Sequence, residues 1–301
     1  MLSNLDPSAQ QFLYSLNQIS DRMTRAQQQV SSGLKLQQVS DAPDQISTLL
    51  EARASLDSTQ QILGNLGRVK AEVDSGEQAL ESAVQLFDKV QTLGAQGNTS
   101  ILTPAGKADV AQQLDSLLQQ MVGLAGTTVE GRYIFSGDSD QQAPYTYDGT
   151  QANPVSAYLG SASTRLAQHP DGTTFPAALT AQQIFDSIDA ATNVFAAIKN
   201  LSAALKNNNA AAIQTSAAGL SKVGEYLNSQ LASYGTTQNT VAGATEFGQM
   251  LEVQLQTQIG SVQDADLTQA ILEMTQAQTQ QQAALQSRAR LPRTTLFDYL
   301  G

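Results

Sequence analysis

The most constraining feature of the sequence is a heptad pattern near its beginning. Apolar side chains alternate there at spacings of four and three residues, at Phe12, Leu16, Ile19, Met23, Ala26 and Val30. This spacing gathers them into one narrow stripe along an α-helix, as in a coiled coil. Ser31-Ser32-Gly33 follows and predicts the end of that helix. Because a narrow stripe buries little surface on an isolated helix, the segment must pair with another helix to be stable.

A second stripe of this kind lies near the other end of the chain. It contains Leu267, Ile271, Met274 and Leu285, with glutamine at positions 278 and 281. Glutamine in the stripe weakens the packing of an isolated pair, which favours a segment that becomes ordered only on assembly. We therefore expect the two ends to pair with each other or with other molecules. An ordinary helical bundle, with every stripe internal, is the alternative that periodicity leaves open.

The residues between the two stripes fall into helical stretches and one different region. Helical spacing predicts a long helix from about residue 42 to residue 93, and it resumes from Ile184 onwards. The stretch from Tyr133 to Thr180 instead holds four of the eight prolines, four of the eight tyrosines and the only histidine. Turn signals occur at Tyr147-Asp148-Gly149-Thr150 and at His169-Pro170-Asp171-Gly172. These features predict short strands and turns.

The predicted fold class is mainly α, an elongated antiparallel coiled-coil bundle built from both chain ends with a small β-rich insertion in the middle. We expect residues 1–35 and 265–301 to form terminal assembly helices that are disordered in the monomer. Residues 36–132 and 181–264 would form a helical rod, and residues 133–180 the insertion.

Composition and charge exclude several classes of function. Acidic residues outnumber basic ones by 27 to 16, and no cluster of Lys or Arg could neutralise a run of phosphates, so we expect no nucleic-acid partner. No apolar stretch approaches the roughly 20 residues that cross a bilayer, so we expect no membrane insertion. The chain has no Cys and one His, which leaves little to bind a metal, and we expect no cofactor. No secretory signal peptide is visible, which by itself favours the cytosol.

Three isolated motifs are better explained as ordinary surface features. His169 lies in a predicted turn without neighbours at ligand spacing. Asp138 and Asp140 resemble part of a calcium loop, but the later bidentate Glu is missing. Gly131 and Gly137 do not form a phosphate-binding fingerprint, because no strand, glycine triplet and helix follow in order.

The two ends together resemble a known family. Residues 19–35, ISDRMTRAQQQVSSGLK, and 40–44, SDAPD, are similar to the N-terminal signature of flagellins and flagellin-like proteins. Residues 264–267, 273–278 and 281–285 resemble the flagellin C-terminal helix in order and spacing. Within that superfamily, three further segments are most similar to hook–filament junction proteins (hook-associated protein 3). They are residues 129–137, the following Ala143-Pro144-Tyr145 and the ending 295–300.

This resemblance implies a structural, non-enzymatic subunit of the bacterial flagellum that joins hook to filament. It also reverses the cytosolic expectation, since family members are exported by the type III apparatus without a cleaved signal and assemble outside the cell. The implied partners are a hook-associated protein, flagellin, further copies in a ring, an export chaperone and the export apparatus. The expected assembly interface consists of Phe12, Leu16, Ile19, Met23, Val30, Leu267, Ile271, Met274, Leu285, Leu296 and Leu300.

Three other functions are weighed against this one. Filament flagellin itself would share both terminal signatures. A surface adhesin would use the Tyr-rich insertion to bind ligands. Some flagellins carry metalloprotease inserts, but the His-Glu-x-x-His motif is impossible in a chain with one His.

Overall fold

The computed structural model describes residues 7–36 and 43–289. Within these residues the chain is 71% helical, with seven helices and two small antiparallel sheets, which confirms the predicted mainly α fold with a β-containing insertion. The helices are α1 Pro7–Ser32, α2 Pro43–Gly97, α3 Pro104–Ala125, α4 Ala181–Phe185, α5 Val194–Lys206, α6 Ala210–Gln263 and α7 Leu267–Ala289. The strands are β1 Thr128–Val129, β2 Arg132–Tyr133, β3 Leu166–Gln168 and β4 Thr174–Pro176.

Local sequence signals account for several helix ends. Gly33 ends α1 with a φ of 72°, a left-handed conformation that glycine adopts without steric cost. Thr103 caps α3, where its side chain accepts a hydrogen bond from the N–H of Gly106 and Pro104 occupies the first turn. Thr180 and Gln183 form a capping box at the start of α4. The helix predicted from residue 42 to residue 93 is found as α2.

The chain divides into two compact units. Unit 1 comprises Met1–Asp57 and Glu252–Gly301, and unit 2 comprises Ser58–Leu251, so α2 and α6 contribute residues to both. Among the described residues, 45 apolar side chains are buried, and all but eight of them belong to unit 2. Four of the eight in unit 1 are alanines. Unit 2 therefore carries most of the hydrophobic core.

The core of unit 2 joins the insertion to the helices. Phe135 from the insertion makes edge-on contacts with Phe185, at 6.2 Å between ring centroids, and with Tyr234 of α6, at 6.1 Å. Arg165, just before β3, lies 3.2 Å from Glu72 of α2, and both side chains are mostly buried. Such a pair, together with the aromatic contacts, fixes the insertion on α2, α4 and α6.

The strands within and just before the insertion are short, and turns form most of the insertion. β1 pairs with β2 and β3 with β4, with two or three residues in each strand. Asp148 accepts hydrogen bonds from the backbone and side chain of Thr150, and Asp171 does the same for Thr173, so turns satisfy backbone groups that a larger sheet would pair. None of the helices described here is long and apolar enough to cross a membrane.

Candidate assembly interface

Helices α1 and α7 of unit 1 form an antiparallel pair. At one end, the carbonyl of Gly33 accepts the N–H of Ala265 at 2.9 Å. Midway, Arg22 donates to the side-chain oxygen of Gln280 at 3.3 Å. At the other end, the guanidinium of Arg288 lies 5.6 Å from the centroid of the Phe12 ring, within cation–π distance. The first and last described helices of the chain therefore run side by side in opposite directions.

On α1, the contact follows the stripe that the sequence predicts. Ile19 and Ala26 are buried, and the other members of the stripe, Phe12, Leu16, Met23 and Val30, are half-buried. The 4–3 spacing thus places this row along one face of α1, as a coiled-coil seam requires.

On α7, the contact does not follow the stripe that the sequence suggests. Ala270 and Ala277 are buried at 2% and 3% exposure, and Met274, Gln281 and Ala284 are half-buried at the same heptad spacing. Leu267, Ile271 and Leu285 are exposed at 47%, 47% and 51%. Met274 alone belongs to both rows. The seam therefore consists mainly of small side chains that allow close approach, and the larger apolar residues occupy the neighbouring face of the helix.

Unit 1 exposes an unusual share of large apolar side chains. Fourteen such side chains are exposed among the described residues, and eight of them lie in this smaller unit. They are Leu13, Tyr14, Leu50, Val253, Leu267, Ile271, Leu272 and Leu285. The smaller unit thus exposes more of these side chains than the larger one, and such a surplus is expected in a part of a protein that binds other proteins. Leu267, Ile271 and Leu285, which lie on one side of α7 with Gln278 between Ile271 and Leu285, are called the α7 outer row below.

The predicted interface residues thus have three different positions. The α1 residues and Met274 line the α1–α7 contact, and the α7 outer row lies beside it. Leu296 and Leu300 lie outside the described residues. The exposed Leu13, Tyr14 and Leu272 are absent from the predicted interface, because heptad analysis disregards apolar residues that fall off the main stripe. Whether all of these residues contact other subunits stays a prediction.

The tyrosine side chains of the insertion are directed mainly towards the core of unit 2, of which the insertion is a part. Tyr145 is 4% exposed, its ring centroid lies 5.1 Å from that of Phe195, and its hydroxyl is 3.3 Å from a carboxylate oxygen of Asp186. Burial, and then the charge of Asp186, raises the pKa of Tyr145 far above its ordinary value, so the hydroxyl stays protonated. Tyr158 is half-buried and donates to the carbonyl of Phe135 at 3.1 Å. Such tyrosines stabilise the fold and offer little surface to a ligand.

The polar residues singled out from the sequence also have structural partners. His169 lies 2.9 Å from a carboxylate oxygen of Asp171, and its ring centroid is 5.3 Å from that of Phe247. Asp140 lies 3.6 Å from Arg132 and 3.8 Å from Arg165. Within residues 7–36 and 43–289, no three His, Asp or Glu side chains come together in a way that could hold a metal ion.

Comparison with protein families supports the two-ended pattern. The family model of the bacterial flagellin N-terminal helical region matches residues 4–140, and that of the bacterial flagellin C-terminal helical region matches residues 218–300. Together they account for nearly three quarters of the chain. A search of curated protein sequences found no significant match.

Solved structures share the fold at low sequence identity. A protein from Vibrio parahaemolyticus described as a flagellar hook-associated protein matches with 19% identity and a TM-score of 0.64, over 74% of this chain and 100% of that one. FlgL from Bacillus cereus matches with 21% identity and a TM-score of 0.54, over 71% and 100%. Flagellar hook associated protein-3 from Legionella pneumophila matches with 12% identity and a TM-score of 0.61, over 70% and 98%.

Proposed function

Because the chain belongs to the flagellin superfamily, we propose that it is a structural, non-enzymatic subunit of the bacterial flagellum that joins the hook to the filament. The proposal is supported by the similarity of its fold to hook-associated proteins, including FlgL from Bacillus cereus and hook associated protein-3 from Legionella pneumophila. Its partners would be further copies of itself, a hook-associated protein on one side and flagellin on the other.

The observation that carries the proposal is the α7 outer row. In unit 1, alanines form most of the α7 side of the α1–α7 seam, and Leu267, Ile271 and Leu285 remain half-exposed beside it. Because each of these side chains is already about half buried, covering the rest of one in a subunit contact would contribute about 0.7–1.5 kcal/mol. A row on one face that meets a different face of the next copy gives a head-to-tail contact, the kind that closes into rings or extends into helices. An apolar row beside a paired helix is thus suited to a repeating assembly.

This function implies a location outside the cell. The subunit would leave the cytoplasm through the type III export apparatus, accompanied to it by a chaperone that covers apolar terminal surface. A chain without cysteine cannot form disulfides that would hinder its passage. The terminal helices would then become fully ordered only on contact with neighbouring subunits.

Gene removal and complementation test the proposal. We expect cells that lack the gene to carry hooks without filaments and to release flagellin into the medium. The natural chain should restore filaments, whereas Ile271→Asp combined with Leu285→Asp should not, because two carboxylates cannot be buried in an apolar contact. The readouts are electron microscopy of hooks and swimming on soft agar.

The matched control is Gln276→Asp combined with Thr279→Asp, which adds the same charge to exposed positions on the other side of α7. This control should restore filaments, and circular dichroism should find both double variants as helical as the natural chain. Filaments of normal number in the deletion strain would contradict the junction role. Thousands of copies of this chain along sheared filaments would instead identify it as a filament flagellin.

A further inference from the structure

A loop between α4 and α5 holds an isoleucine almost entirely in solvent. Ile188 is 97% exposed, although the residues around it are firmly hydrogen-bonded. Asn193 donates to the carboxylate of Asp186 at 2.8 Å and to the carbonyl of Ser187 at 3.0 Å. The hydroxyl of Thr192 lies 2.9 Å from that of Ser187. The loop therefore presents an apolar side chain from a rigid base, so little conformational entropy would be lost when it binds.

A groove with an apolar floor lies elsewhere on the same unit. It has a volume of about 460 Å³ and runs between α2 and α3. Leu93 and Leu117 form its floor, and its rim is polar, with Lys89, Thr92, Gln113 and Ser116. A small apolar floor inside a polar rim is the arrangement found where a single apolar anchor residue binds.

The groove and the Ile188 loop belong to different faces of unit 2. Helix α5, which follows the loop, contacts α3 through Ala111 and Asp115, both hydrogen-bonded to Ser202. The groove uses Gln113, Ser116 and Leu117 of α3, which point away from that contact. A contact between loop and groove therefore has to join two copies of the chain.

Charge favours the same pairing. Asp189 follows Ile188 directly and is exposed, while Lys89 stands on the rim of the groove. Lys89 takes part in none of the ion pairs found among the described residues. The other isoleucine of similar exposure, Ile101 at 91%, lies between Ser100 and Leu102 with no acidic neighbour in sequence.

From these observations we infer that Ile188 of one copy binds in the α2–α3 groove of the next, with Asp189 against Lys89. The inference rests on the proposed function, because it assigns a lateral contact within the proposed ring. The contact is head-to-tail, since a loop on one face meets a groove on another, and it therefore repeats around a ring. It involves unit 2 alone and adds to any contact made by the terminal helices.

Cross-linking tests this pairing directly, because the chain has no cysteine of its own. One full-length variant carries Ile188→Cys and the other Ser116→Cys, and both are expressed together in the deletion strain. After mild oxidation of isolated hooks, mass spectrometry measures the disulfide between positions 188 and 116. We expect at least tenfold more of it than of the 101–116 disulfide obtained when Ile101→Cys replaces Ile188→Cys.

A charge exchange gives a second test that does not depend on cysteine. Lys89→Glu and Asp189→Lys should each lower the amount of subunit retained on hooks about threefold or more, and the double variant should restore it.

Two results would overturn this inference and leave the junction role intact, provided that the natural chain is retained on hooks. One is an equal yield of the 188–116 and 101–116 disulfides. The other is a double variant that fails to restore retention of the subunit. Failure of the natural chain to attach to hooks would instead contradict the proposed function. A groove cysteine cross-linked to a hook protein or to flagellin would also overturn the inference, because the groove would then have another occupant.

Discussion

Tyr234 of α6 contacts both the insertion and α2, so this one residue joins three parts of unit 2. Its side chain is 2% exposed, and its hydroxyl accepts the N–H of Leu179 at 3.3 Å. Its ring lies directly against Gly76 of α2, where an added Cβ would be 2.5 Å from the ring. Burial raises the pKa of Tyr234 far above its ordinary value, so the hydroxyl remains a neutral hydrogen-bonding group. The glycine is needed here for close approach of two helices.

The close contact at Gly76 gives a prediction for stability. Gly76→Ala should lower the free energy of unfolding by about 1–3 kcal/mol, because a buried ring has to move to admit the methyl group. The control is Gly67→Ala on the same helix, where nothing lies within 4 Å of the added Cβ. Alanine should stabilise that exposed position by about 0.5–1 kcal/mol. Urea unfolding of both variants measures the difference, and equal effects would contradict the role given to Gly76.

At the scale of elements, α7 shows what periodicity can and cannot predict. The pattern from Phe12 to Val30 located the seam of α1, because its large apolar residues are also those that pack. On α7 the seam residues are Ala270 and Ala277, and alanine is too common in helices to signal a buried face. The heptad pattern predicts the larger Leu267, Ile271 and Leu285 instead. The family resemblance could predict that the two ends pair. Only the structure shows that one face of α7 carries the alanine seam and the neighbouring face carries the α7 outer row.

The insertion illustrates a different limit. Turn signals at residues 147–150 and 169–172 correctly located two turns, and the short strands predicted for this region include β3 and β4. What the local pattern did not reveal is that aromatic side chains such as Phe135 and Tyr145 bind this segment to the helices of unit 2. Tertiary contacts of this kind depend on residues far apart in sequence, so local patterns do not reveal them.

The two faces of α7 can be distinguished by substitution. Ala277→Leu should separate α1 from α7, because the larger side chain cannot be accommodated in a seam where Ala277 is 3% exposed. We expect amide hydrogens of α1 to exchange at least tenfold faster in this variant. Ile271→Ala removes apolar surface from the α7 outer row and should leave exchange in the isolated monomer unchanged. The opposite result for the pair would mean that the outer row, and not the alanines, holds the two helices together.

At the scale of the whole molecule, the two units differ in how much they bury. Unit 1 has eight buried apolar side chains among its described residues, against 37 in unit 2. Regions with few buried apolar contacts open locally at lower free energy than the rest of a protein. Assembly would compensate for this deficit, because each neighbouring subunit covers apolar surface that a single copy exposes.

Hydrogen exchange of the dilute monomer tests this difference. Amides from Leu16 to Val30 of α1 should exchange about 100-fold faster than those from Leu220 to Val241 of α6, where buried residues recur along the helix. In isolated hooks that retain the subunit, the α1 amides should become as slow as those of α6. Strong protection of α1 in the dilute monomer would contradict the expectation that the terminal helices become fully ordered only on assembly.

The pairing of α1 with α7 also has a consequence for the quality of the finished organelle. The ribosome makes α1 before α7, so a polypeptide broken off between them lacks the alanines of α7 against which α1 lies. Such a fragment would present an unpaired α1 and would lack the α7 outer row, so neighbouring copies would lose the contact proposed for that row. The pairing of α1 with α7 would thereby favour assembly of chains that contain both helices.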